Sequence, residues 1–214
     1  MNENIEYWNS VQREIFACPN LCLFRFMGDV GINIKGKNVL ELGFGMGSDL
    51  IEMQKRGANA YGIDIDKRKV GDVNKLKGDN EFPIVFCGDI VSDIKEFNIS
   101  FDFVSSQDTL YYLEEEELLQ CLNNVKESLA EGGKLLFQII TGDYRIVDGE
   151  EVFDSKAIIK NPGNKILFRD ENFYVSCLEK SGFKVIAKKI VKETFSSNCD
   201  VVRHNLYLCC SKLD

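Results

Sequence analysis

Short apolar runs alternate with amphipathic stretches along most of the chain. The runs NVLEL, AYGID, IVFC, FDFVSS and KLLFQII have strand length and carry apolar residues in succession, the pattern of strands covered on both faces. Between them the apolar period lengthens to that of a helix. Residues 48–56 form one such segment, and 67–77 carry a thin apolar stripe. Residues 114–130 place Leu118, Leu119, Leu122, Val125 and Leu129 on one side. Strand and helix in alternation predict an α/β domain with a parallel sheet and helices on both faces.

AEGGK closes the long helix with glycines and launches the next strand. After Ile140 the pattern breaks. Residues 141–169 carry Gly142, Gly149, Pro162 and Gly163 around KAIIK and KILFR, which reads as a hairpin or lid-like insertion. A last helix over 170–181 precedes strands at 183–191 and 205–210. At the front, 1–36 reads as a helical cap, with IEYWNSVQREIF amphipathic and Phe24 and Phe26 in the core. No linker or composition break interrupts 1–214, so one domain is expected.

Composition narrows the function classes. Hydrophobic residues make up 44% and charged residues 28% of 214, ordinary for a globular protein. No apolar run approaches the roughly 20 residues of a membrane span, and the polar start predicts a cytoplasmic protein. Net charge is −8 with no local Lys/Arg cluster, which argues against nucleic acid as a partner. Cys18 and Cys22 lack the further cysteines of a metal motif. Cys87, Cys209 and Cys210 sit in apolar runs and read as buried thiols. The four glutamates from Glu114 to Glu117 read as a solvated helix start, since acids there complement the helix dipole; no metal site is expected.

Candidate chemistry centres on NVLELGFGMGSDL. Gly43, Gly45 and Gly47 stand between a strand and a helix, the general device for bringing a nucleotide-like cofactor close to backbone. A pyrophosphate cofactor favours G-x-G-x-x-G. Here the spacing is G-x-G-x-G, with Ser48 in the sixth place. Glu41 precedes the loop, where a carboxylate suits an ammonium and a positive sulfur better than a pyrophosphate.

These residues resemble motif I of the class I S-adenosylmethionine (SAM)-dependent methyltransferases, and the likeness continues downstream. Asp64, 21 residues past Gly43, matches the acid on the ribose hydroxyls, with Ile65 beside it. Asp89 matches the acid on the adenine amino group, and the Ile90 N–H faces the ring. FDFVSSQDTLYYL resembles the fourth strand and its loop, with Ser106 and Gln107 near the methionine end. LAEGGKLLF resembles the start of strand five, and HNLYLCCSK strand seven. The resemblance implies a Rossmann-like, doubly wound seven-stranded sheet in order 3-2-1-4-5-7-6 with strand seven antiparallel. It also implies SAM as cofactor and S-adenosylhomocysteine (SAH) as product.

Methyl transfer from SAM needs alignment of acceptor, methyl and sulfur more than a dedicated base. His204, the only histidine, and Tyr112 are the candidate catalytic residues. Tyr111 and Tyr112 follow strand four, and Tyr144 and Arg145 follow strand five, at the sheet edge where ligands bind in open α/β folds. With Tyr7 and Trp8 of the cap, these are the candidate substrate contacts. The short chain lacks a proline after strand four of the kind nucleic-acid N-methylating relatives carry. The expected acceptor is therefore O, N or carboxylate of a small polar metabolite, such as a sugar or natural-product intermediate. The alternatives are an NAD(P)-binding reductase and a non-catalytic SAM-binding regulatory domain.

Overall fold

The computed structural model describes residues 18–147, 150–154, 158–161, 164–167, 169–194 and 201–213; for those of them within 142–166, 193–194 and 201–203 it describes the backbone alone. Its elements are α1 (Leu21–Asp29), β1 (Asn38–Leu42), α2 (Ser48–Lys55), β2 (Asn59–Asp64), α3 (Lys67–Lys77), β3 (Ile84–Cys87), β4 (Phe101–Gln107) and α4 (Glu115–Ser128). There follow β5 (Leu129–Val147), β6 (Glu150–Asp154), β7 (Ile158–Asn161), β8 (Asn164–Leu167), α5 (Glu171–Lys180), β9 (Phe183–Thr194) and β10 (Val201–Lys212).

The main sheet runs β3-β2-β1-β4-β5-β10-β9. The last strand of the chain enters between β5 and β9 and is antiparallel to both. This is the expected 3-2-1-4-5-7-6 order. β1 pairs in parallel with β2 and β4, and β2 with β3. The carboxyl ends of these four strands therefore stand in one row.

Strand alternation sorts the core into two layers. Leu40, Leu42, Val104, Leu135, Phe137 and Leu208 pack with Leu118 and Leu122 of α4 and Tyr174 and Leu178 of α5. Val39, Phe103, Leu136, Tyr207 and Cys209 face the other way, against Leu23, Phe24, Phe26 and Met27 of α1. Helix α4 starts with a capping box: Glu114 and Glu117 each accept the other's backbone N–H, and Glu115 and Glu116 fill the first turn. The glutamate run thus has a helix-starting role.

Two expectations are corrected. IVFC is not covered on both faces, because β3 is an edge strand that the helical layers leave half uncovered. Ile84 and Phe86 are exposed, and so is the Cys87 thiol, whereas Cys209 and Cys210 are buried. The strand expected to end near Ile140 continues to Val147 and folds back on β6, pairing Asp143 with Asp154 through Val147 with Glu150. With β7 paired to β8, the segment after Ile140 contains two hairpins.

Candidate active site

The loop after β1 turns on glycines that serve different ends. Gly43 has φ +68°, and a Cβ there would collide with the Thr109 side chain. Gly47 has φ +74°, and its Cβ would strike Val73. Both are bare so that the loop can pack. Gly45 has φ +53° and nothing within 4 Å of its Cβ position. It is bare in front of open space, and its N–H donates to Asp64 Oδ2 at 2.8 Å.

Asp64 ends β2, and its Oδ1 accepts the Asp66 N–H at 2.9 Å. Burial raises its pKa, partly offset by the N–H groups of Asp66 and Gly45. Asp66 caps α3 through the Arg68 N–H and holds the Arg68 guanidinium at 2.8 Å. Burial works to raise the Asp66 pKa, but the Arg68 hydrogen bonds win and hold it low. Asp89 follows β3 and accepts the Val91 N–H at 2.8 Å.

These groups surround a cavity of about 290 Å³ over the row of strand ends, lined by Gly43, Gly45, Met46, Asp64, Ile65, Asp66, Lys69, Asp89, Ile90, Val91, Gln107, Asp108, Thr109, Tyr112, Leu113 and Glu117. Of the residues singled out in the sequence, Gly43, Gly45, Asp64, Ile65, Asp89, Ile90, Gln107 and Tyr112 meet on its walls. Others stand behind or beyond them. The Ser106 hydroxyl donates to the Leu42 carbonyl at 3.2 Å. Tyr111 is buried with its ring centroid 4.6 Å from that of Tyr112. His204 is buried on β10, and its carbonyl accepts the Thr141 hydroxyl. Tyr144 and Arg145 lie on the extension of β5, Tyr144 in register with Phe153 and Val202. Tyr7 and Trp8 lie outside the described residues.

Glu41 lies outside the cavity lining, and a second role explains it. Helix α2 has Gly47 at its N-cap, with no side chain to offer its free N–H groups. Glu41 reaches from β1 and accepts the Leu50 N–H. Its Oε2 is buried without a partner. Burial, then the charges of Asp49 and Asp64, push its pKa well above the ordinary glutamate value.

Asp49, in the first turn of α2, is raised to about 6 by burial, with Asp108 and Glu52 adding and the Asn20 N–H opposing. Between about pH 4 and 6 the folded chain therefore keeps a proton that the unfolded chain has released, and this group's contribution to stability falls as pH rises through that window. Asp49→Asn is expected to gain melting temperature relative to the wild type from pH 4 to 6, then hold its lead. A difference that does not change with pH contradicts this electrostatic account.

Asp108 and Thr109 lie in FDFVSSQDTLYYL but were not singled out in the sequence. Asp108 has φ +50°, uncommon for a residue with a side chain and typical of functional loops. The Thr109 hydroxyl donates to the Gln107 carbonyl at 2.9 Å and sits over Gly43.

Known proteins share this architecture. A family model for the methyltransferase domain matches residues 7–188. Phosphoethanolamine N-methyltransferase 1 of Triticum aestivum is 26% identical over 147 residues, covering 68% of this chain and 27% of its own. The chain thus spans about a quarter of the length of such curated relatives. The structure of magnesium protoporphyrin IX methyltransferase from Synechocystis PCC 6803 with bound SAM has a TM-score of 0.69 at 15% identity, covering 99% of this chain and 98% of that one. A SAM-dependent methyltransferase from Clostridium acetobutylicum gives 0.63 at 19%, covering 89% of each. At these identities the two structures speak for the fold alone. With 7–188 matched, the chain belongs to the methyltransferase domain family.

Proposed function

We propose that the chain methylates the nitrogen of a small amine in the cytoplasm, using SAM. The carrying observation is the charge of the cavity wall. Beyond Asp64, Asp89 and the Arg68-paired Asp66 it presents Asp108 and Glu117, and Lys69 is the cation among the described lining residues. Such a wall attracts a cation and repels an anion. The Tyr112 ring lies on the same wall and adds an aromatic face that suits an ammonium group. The curated relative named above is by name an N-methyltransferase, which supports nitrogen as the acceptor atom.

The chain fits the donor. Gly45 keeps a cradle open that any Cβ would fill. Each Asp64 oxygen accepts one N–H and keeps a lone pair for a ribose hydroxyl. Asp89 and the Ile90 N–H would hold the base. Glu41 stands behind the loop with one carboxyl oxygen unpartnered. When bound, SAM supplies an electrophilic methyl carbon on a positive sulfur. The protein's own task is to hold the amine in line and take its ammonium proton before attack. Asp108 is the wall carboxylate assigned to take the proton and Tyr112 the group that orients the amine, since His204 stands off the cavity.

Tyr112→Phe is expected to lower turnover about tenfold or more while SAH affinity stays unchanged; equal loss of both contradicts a role confined to the acceptor. The function itself is tested with SAM carrying a labelled methyl group and a panel of small primary amines, alcohols and carboxylic acids. Transfer to amines is expected. Transfer confined to the alcohols or acids overturns the nitrogen assignment.

A further inference from the structure

Asn20 stands just before α1 and joins parts of the molecule far apart in sequence. Its Oδ1 accepts the Leu23 N–H at 3.2 Å, the N-cap bond of α1. That bond decides which end of the amide faces the helix, so Nδ2 faces the opposite way. Nδ2 lies 3.2 Å from Gln107 Oε1. The Tyr207 hydroxyl lies 3.2 Å from Nδ2 and 3.3 Å from Oδ1. An amide nitrogen only donates. Gln107 must therefore turn its oxygen toward Asn20, and its own nitrogen donates to the Ser106 carbonyl at 2.9 Å. One Nε2 hydrogen remains on a residue that lines the cavity, whereas Asn20 does not line it. The Asn20 backbone N–H donates to Asp49 Oδ1 at 2.5 Å and ties this unit to the first turn of α2.

The row of strand ends says what that hydrogen meets. Neighbouring strands lie about 4.8 Å apart, so the row from β3 to β4 spans about 14 Å. Asp89 follows β3, Asp64 ends β2, Gly45 follows β1 and Gln107 ends β4. A ligand with its base at Asp89 and its ribose at Asp64 brings an amino-acid tail to Gln107. Near that end, Asp108 on the wall suits the tail's ammonium, and the Gln107 N–H offers its carboxylate a donor.

We propose that Asn20 is a positioning residue: by fixing the orientation of the Gln107 amide, it presents a hydrogen-bond donor to the carboxylate at the methionine end of SAM. The inference rests on the SAM reading above. Asn20→Ser tests it, because serine keeps an oxygen to cap α1 but has no nitrogen to orient Gln107. Calorimetry with SAH and with 5′-methylthioadenosine, which lacks the amino-acid tail, supplies the readout. SAH affinity is expected to fall about tenfold, 5′-methylthioadenosine affinity to stay unchanged, and the melting temperature to stay near wild type. In a Gln107→Ala background the same substitution should do nothing further. Where serine folds poorly, Asn20→Asp keeps the cap and the shape, turns an acceptor toward Gln107, and should show the same selective loss. Wild-type affinity for SAH, or equal loss of both ligands, overturns the positioning role. A wild-type protein that binds neither ligand overturns the SAM reading and the inference with it.

Discussion

Replacing Asp64 with alanine is expected to weaken SAH binding by about tenfold to a hundredfold. The side chain does two things at once. It pins the Gly45 N–H at 2.8 Å, which holds the loop in its open-fronted shape. It also keeps lone pairs toward the cavity for a ribose. Hydrogen bonds to a charged group are each worth about 1.5–3 kcal/mol, and about 1.4 kcal/mol is a factor of ten. The fold should survive, since the change removes a buried carboxylate whose ionisation burial opposes. Calorimetry on the variant checks it; unchanged SAH affinity rejects the ribose role.

Replacing Glu41 with glutamine is expected to stabilise the fold. The amide can still accept the Leu50 N–H, and its nitrogen can donate toward Asp49 or Asp64 where Oε2 has no partner. Removing a poorly compensated buried charge should add about 1–3 kcal/mol at neutral pH, and each kcal/mol is about 2–4 °C of melting temperature at this size. The sign of the pH dependence follows from the raised pKa. The folded wild type holds a proton above about pH 4.5 that the unfolded chain releases, so wild-type stability falls as pH rises and the variant does not share that fall. The gain should be small at pH 4 and large at pH 8. A variant that melts below the wild type at pH 8 contradicts this account. A local cost kept at a binding site is the usual trade of stability for function.

The features legible in the sequence were those fixed by neighbours along the chain. The Gly43-Gly45-Gly47 spacing, the acids ending β2 and following β3, and the helix–strand alternation are short-range, and they led to the fold order and to half of the cavity wall. The different duties of the three glycines were hidden, because Thr109 and Val73 meet them only after folding. IVFC misled because a four-residue apolar run does not record whether helices cover it. Tyr111 and Tyr112 were equivalent in sequence, and the turn after β4 buries one and offers the other to the cavity. Asn20 was invisible, since its partners Gln107 and Tyr207 lie 87 and 187 residues away. Asp108 was visible only as a polar residue; its left-handed backbone is a property of the folded turn.

The central claim is that the cavity over the strand ends takes SAM and not a dinucleotide. Its most direct test is calorimetry of the wild-type chain with SAH and with NADH under the same conditions. One-to-one binding of SAH in the micromolar range, with no heat from NADH, is the predicted result. Micromolar NADH binding with no response to SAH or SAM would contradict the account.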